Sequence, residues 1–179
     1  MLATLGVASA AGVGATGLNP LIGLVDAAAV RLQTADPVAA FKWLSKGSIE
    51  DPARADQVLA TVTDDAVSAG VDADYVRQVF TDQINATEAV EYGRFSDWKL
   101  NPSAAPATAP DLSASRSAID ALNHTMVADI ASHWQVLHGP DCAADRDDAV
   151  AAAAGAHQFD ALYRAALEFA ARSYCQPAG

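Results

Sequence analysis

Between Asn101 and Pro110 three prolines sit among Ser, Ala and Thr. Such a run cannot continue a helix, because each proline lacks an amide hydrogen and its ring obstructs the preceding turn. The segment therefore reads as an extended connector, and the chain has to fold as two halves joined across it. On both sides the apolar residues recur at helical spacing, and nothing alternates as a half-buried strand would. Aromatic residues are only 7%, and alanine supplies much of the 51% that is hydrophobic. That composition favours helices over strands.

Three helices are expected before the connector. The first runs from about Leu21 to Leu44, with Leu24, Val25, Ala28, Leu32, Val38, Phe41 and Leu44 at mainly helical spacing. Pro37 falls inside it and either kinks it or breaks it in two. Lys46-Gly47 ends it. Ser48, with Asp51 three residues on, reads as a capping box, and Pro52 suits the opening turn of a second helix reaching about Ser68. Ala69-Gly70 stops that helix, and a third spans about Asp72 to Trp98. Beyond the connector, Asp111 or Ser113 caps a fourth helix that carries Leu112, Ile119, Leu122, Met126, Ile130, Trp134 and Leu137 and closes at Gly139-Pro140. An alanine-rich helical region from Cys142 to Cys175 follows, with a break at Gly155. The fold class is all-α, a single bundle of about five to six helices over residues 19–179.

Residues 1–18 stand apart as an apolar leader, because Met1 to Gly17 carries no charged side chain. Ala8-Ser9-Ala10 matches an export cleavage site, yet no basic residue precedes it, Arg31 being the first. The leader reads as a truncated signal peptide, which we favour, or as an unstructured extension. The two cysteines, Cys142 and Cys175, flank the last helical stretch. In a small exported domain such a pair means a disulfide, with two buried thiols as the alternative. The expected location is secreted or periplasmic. No stretch has the roughly 18–20 unbroken apolar residues of a membrane span. With 22 acidic against 11 basic residues, a net charge of −11 and no Lys/Arg cluster, the chain lacks the footprint of a nucleic-acid binder.

Familiar catalytic sets are missing. Of His124, His133, His138 and His157, the middle two are five residues apart and point to different helix faces, and no His-Glu-x-x-His or Cys-x-x-Cys occurs. No metal site is expected. There is no nucleophile elbow, phosphate-binding loop or dinucleotide fingerprint. Two glycosylation sequons, Asn85-Ala86-Thr87 and Asn123-His124-Thr125, fall within expected helices and read as chance. What remains is the placement of scarce positive charge. Arg31 and Lys42 would share one face of a straight helix, about 16 Å apart. Asp51 and Arg54 lie at i and i+3, Thr87 and Glu91 at i and i+4, and Arg116 opens the fourth helix. The ordinary reading of each is a solvated surface residue. Against it, Arg31 and Lys42 are embedded in Ala-Ala-Val-Arg-Leu and Ala-Phe-Lys-Trp. Four cations turned inward need an anion, since unpaired buried charge is costly and Asp51 and Glu91 cannot balance four.

Several longer blocks resemble the secreted, all-helical chorismate mutases, the gamma subclass of the helical family. They are Asp36-Pro-Val-Ala-Ala-Phe-Lys-Trp43, Asp82-Gln-Ile-Asn-Ala-Thr-Glu-Ala-Val-Glu-Tyr92, Arg94-Phe-Ser-Asp-Trp-Lys-Leu-Asn-Pro102, Asp111-Leu-Ser-Ala-Ser-Arg-Ser-Ala-Ile-Asp120 and Ser173-Tyr-Cys175. The resemblance runs from about Leu24 to Gln176. It implies a cofactor-free, metal-free rearrangement of chorismate to prephenate in an exported protein that forms a homodimer. By position, Arg31 and Arg116 resemble the arginines that hold the substrate carboxylates, with Arg54 a third guanidinium. Lys42 resembles the donor to the ether oxygen and Glu91 the second donor, while Asp51 and Thr87 match polar pocket positions. Because an ionised Glu91 would repel the charge developing on that oxygen, it is expected to work protonated, its pKa raised by burial. Two positions depart from the pattern. Ala55 stands where intracellular relatives often carry Glu, and Val58 where some secreted members carry Gln. The alternatives are a helical binding module for a small dicarboxylate without turnover, and an interaction protein whose Arg31 and Lys42 are surface charges.

Overall fold

The computed structural model describes residues 18–176. The expected leader lies outside them except for Leu18. The spine is a helix of 28 residues, α4 (Ala73–Leu100), whose N-cap Asp72 accepts from the Tyr75 amide. Against it pack α2 (Ala35–Ser45), α3 (Pro52–Ala69) and α8 (Ala161–Ala170). A second layer is built on α1 (Ile22–Gln33), which packs on α5 (Leu112–Ser132) and α7 (Cys142–Ala156). A single turn of helix, α6 (Trp134–Leu137), follows α5. One contiguous core runs through both layers, including Leu24, Val25, Leu32, Val62, Val79, Phe80, Met126, Ile130 and Leu167. No strand occurs among the described residues.

Among the described residues the bundle is all-α as expected, but eight helices replace five or six because three expected helices are broken. The first break decides the site. In a continuous helix the Pro37 ring would collide with the carbonyl four residues back, that of Gln33. Gln33 is the last residue of α1. Pro37 then falls in the first turn of α2, where a missing amide hydrogen costs nothing. Between the helices, the Thr34 hydroxyl donates to the Arg31 carbonyl at 2.7 Å. The second break is at His133, and the third follows Gly155, at residues 157–160. Two local expectations are corrected. Asp51 itself caps α3, accepting from the Arg54 amide at 3.1 Å, so Ser48 is not the cap. The proline-rich connector opens with one 3-10 turn, Pro102–Ala104, before it extends toward Asp111, the cap of α5.

Cys142 and Cys175 form the expected disulfide. It ties down a C-terminal turn that is also bound to α4. The fully buried Asp82 carboxylate accepts from the Arg172 guanidinium and the Ser173 hydroxyl. Tyr174, also fully buried, receives the Gln83 side-chain amide on its hydroxyl and the Tyr75 hydroxyl on its carbonyl. The bridge spans 33 residues of sequence. A loop of that length contributes about 3–4 kcal/mol on the chain-entropy account. Replacing both cysteines with serine is expected to lower the thermal midpoint by roughly 6–16 °C in calorimetry. An unchanged midpoint would show that the contacts with α4 hold the turn by themselves.

Candidate active site

Five helices and one cap converge on a single cleft. Arg31 sits in the last turn of α1, after three buried alanines that let this helix approach its neighbours closely. Its side chain is carried inward and is only 3% exposed. Nε donates to Asn123 Oδ1 at 2.9 Å, and Nη1 donates to the Gln83 carbonyl and to Thr87 Oγ1, each at 3.2 Å. All three acceptors are neutral. Desolvation by burial, with the nearby Arg54 charge adding to it, lowers the Arg31 pKa to about 10, which leaves it a cation at neutral pH.

Lys42, in the last turn of α2, reaches the same cleft across the break at Thr34. Its Nζ donates to the Ile49 carbonyl and to Glu91 Oε2, the latter at 2.8 Å. Glu91 is 2% exposed. Burial raises its pKa to about 7 in spite of the Lys42 hydrogen bond and charge, which act to lower it. Arg54 in α3 pairs with Asp120 at 2.6 Å, and Arg116 in α5 reaches Asp51 Oδ2 at 3.4 Å. Among the described residues Lys42, Arg54 and Arg116 each have a carboxylate partner. Arg31, the most buried of the four, has none.

The cleft holds about 680 Å³ of unfilled space, counted to its open mouth. Its lining includes Arg31, Lys42, Asp51, Arg54, Thr87, Glu91 and Arg116, all seven residues singled out from the sequence. Val38, Ile49, Ala55, Val58, Ile84, Leu112 and Ile119 supply apolar wall. The α4 side is a helical stripe, with Ile84, Thr87, Glu88 and Glu91 at i, i+3, i+4 and i+7. Three polar residues were missed by sequence reasoning. Glu88 lines the cleft, and its pKa is raised by burial and by Glu50. Asp120 and Asn123 follow Arg116 at i+4 and i+7 on α5, and that spacing was the available signal. With Glu88 and Asp120 present, the four cations are not short of carboxylates. Among the described residues Arg31 alone of the four has no direct carboxylate partner, and the Asp120 carboxylate, held by Arg54, favours its charge only from a distance. As for the two sequons, Asn85 is exposed on α4, whereas Asn123 is buried against Arg31.

Fold and cleft together define a class: a helical bundle that presents several guanidinium and ammonium groups, one without a counter-ion, to a small and partly apolar pocket. Comparison with known proteins narrows it. Residues 23–92 match the family model "Chorismate mutase type II". The chain is 55% identical over 98% of its length to a secreted chorismate mutase of Mycolicibacterium smegmatis, covering 100% of that protein. It is 56% identical over 90% of its length to the secreted chorismate mutase of Mycobacterium tuberculosis, covering 81% of that protein. The crystal structure of chorismate mutase from Burkholderia thailandensis superposes with a TM-score of 0.83 at 31% identity, over 88% of this chain and 99% of that one. The chain belongs to the chorismate mutase family.

The Glu91–Lys42 pair yields a direct expectation. Glu91 should titrate near pH 7 when its side-chain carboxyl is followed by carbon NMR. In Lys42→Met both lowering influences are gone, so the midpoint should move higher still. A Glu91 that titrates in the ordinary range, around 4–5, would contradict this account of the site.

Proposed function

We propose that this cleft rearranges chorismate to prephenate in an exported protein, and that Arg31 is the focus of substrate binding. The observation that carries the assignment is a buried guanidinium without a carboxylate partner, in a pocket with three further cations. Arg31 and Arg116 hold the two carboxylates of the dianion, with Arg54 behind them. Charge-assisted guanidinium–carboxylate bonds are strong and directional, which suits a rigid substrate. Asp51 and Thr87 line the pocket and orient those arginines, through Arg116 Nη2 and Arg31 Nη1 respectively.

The reaction is intramolecular. An ether C–O bond breaks while a C–C bond forms, and no nucleophile, general base or external group is consumed. The protein accelerates it by confining the substrate to its compact reactive shape and by placing donors where charge develops. The breaking ether oxygen gains negative charge, and Lys42 Nζ and a protonated Glu91, 2.8 Å apart, are the two donors. A pKa near 7 keeps a large share of Glu91 protonated at neutral pH.

Residues 19–179 act as one catalytic domain, a reading supported by the single core cluster. Every residue of the proposed site comes from one chain, so the homodimer that we also propose need not share active sites. Export is supported by two relatives named as secreted and by the disulfide. Among the described residues no helix is long and apolar enough to cross a membrane.

Loss of chorismate absorbance, with prephenate identified as the product, tests the assignment. Arg31→Ala and Lys42→Ala should each lower turnover by roughly 10²–10³. Binding of chorismate without turnover by the wild type would instead establish a dicarboxylate-binding module. Because the protonated form of Glu91 is the active one, activity should be full below pH 7 and fall as pH rises through about 7. Glu91→Gln should flatten that profile, and an unchanged profile would remove Glu91 from this role.

A further inference from the structure

Asn123 is 3% exposed and lies on α5, seven residues after Arg116 and on the same helical face. Its Oδ1 takes the Arg31 Nε–H at 2.9 Å, the shortest of the three bonds that hold this guanidinium. The other two acceptors, the Gln83 carbonyl and the Thr87 hydroxyl, belong to α4. Asn123 is thus the anchor that fixes Arg31 from the opposite wall. At the other cations the protein places carboxylates: Glu91 on Lys42, Asp120 on Arg54 and Asp51 on Arg116. Three residues before Asn123, on the same face of α5, Asp120 does this for Arg54. At Arg31, where burial makes an unpaired charge most costly, the corresponding group is an amide.

We propose that Asn123 is a positioning and affinity-determining residue, whose neutral oxygen orients Arg31 without neutralising it and so reserves the guanidinium charge for a substrate carboxylate. This rests on the reading of the cleft as a chorismate site. A carboxylate at position 123 would orient Arg31 equally well. It would also satisfy the charge from within, and an incoming carboxylate would have to compete with a partner already in place. The Asn123 amide nitrogen takes part in none of the hydrogen bonds of the described residues, so exchanging it for oxygen breaks no protein contact.

The test compares Asn123→Asp and Asn123→Leu with the wild type in the chorismate assay, alongside thermal unfolding. Asn123→Asp is expected to fold with a midpoint no lower than wild type, because it supplies a counter-ion to a buried cation. Its KM should rise roughly 10–100-fold, the range lost with one charged hydrogen bond, while kcat stays within about threefold. Asn123→Leu removes the acceptor and leaves the charge free, so its midpoint should fall and its KM should rise by less than in Asn123→Asp. A purely structural role predicts the reverse order, with the isosteric Asp mild and Leu severe. A wild-type KM in Asn123→Asp, a loss of kcat at unchanged KM, or failure of Asn123→Asp to fold would each overturn the proposal. If the wild type does not turn over chorismate, the reaction assignment fails. The same ordering is then read from chorismate binding by calorimetry, so the two failures stay distinguishable.

Discussion

A cation has been taken out of water and, among the described residues, left without a direct carboxylate partner, and the rest of the bundle is arranged around that fact. Burying an isolated charge costs several kcal/mol even after relaxation. The protein limits this cost with three neutral acceptors on Arg31 instead of a carboxylate. Those acceptors come from α4 and α5, so the two helices must hold their distance from α1 to within hydrogen-bonding tolerance. The small side chains at Ala27, Ala28 and Ala29 allow that approach. The C-terminal turn braces α4 from behind, where the Gln83 side chain meets Tyr174 while the Gln83 carbonyl meets Arg31. Under the proposed function, the stability lost at Arg31 is what a carboxylate of the substrate recovers on binding, a local exchange of stability for function.

The electrostatics act on two scales. At −11 the whole chain repels a dianion at long range, so steering does not bring substrate to the cleft. Attraction begins inside the pocket, where apolar walls lower the effective dielectric and strengthen each charged hydrogen bond. The same global charge repels the dianionic product once it leaves the mouth. Within the cleft Lys42 and Glu91 oppose each other in a useful way. Burial raises the pKa of the carboxyl, and the ammonium holds that rise to about 7. A group poised at that value donates a hydrogen bond at neutral pH without being locked in one state.

Much of this was legible in the sequence, and the exceptions have physical causes. Arg31 and Lys42 stood out because apolar flanks leave a charge no polar surface, and both line the cleft. The helix start near Asp72 and a cap at Asp111 or Ser113 were readable, and Asp72 and Asp111 are the caps because short acidic side chains satisfy free amides at helix starts. The break before Pro37 was anticipated only as one of two options, since a proline marks an interruption without saying on which side the chain turns. Asp120 and Asn123 were passed over for a different reason, although their spacing after Arg116 was there to be read. A polar residue on an amphipathic helix is ordinarily solvent-facing, and only the docking of α5 against α1 and α3 turns that stripe inward. The His133 break likewise lies in a continuous apolar pattern, with no proline or glycine to mark it.

The central claim is that the uncompensated charge of Arg31 binds a carboxylate. The most direct measurement is a calorimetric titration of prephenate, the dianionic product, into the wild type and into Arg31→Met, which keeps an extended side chain and removes the charge. The account predicts one site per chain in the wild type and a dissociation constant weakened by roughly 30–1,000-fold in Arg31→Met, with the fold intact by circular dichroism. Equal affinity in the two proteins would contradict it, because Arg31 would then be a buried cation whose charge serves no ligand.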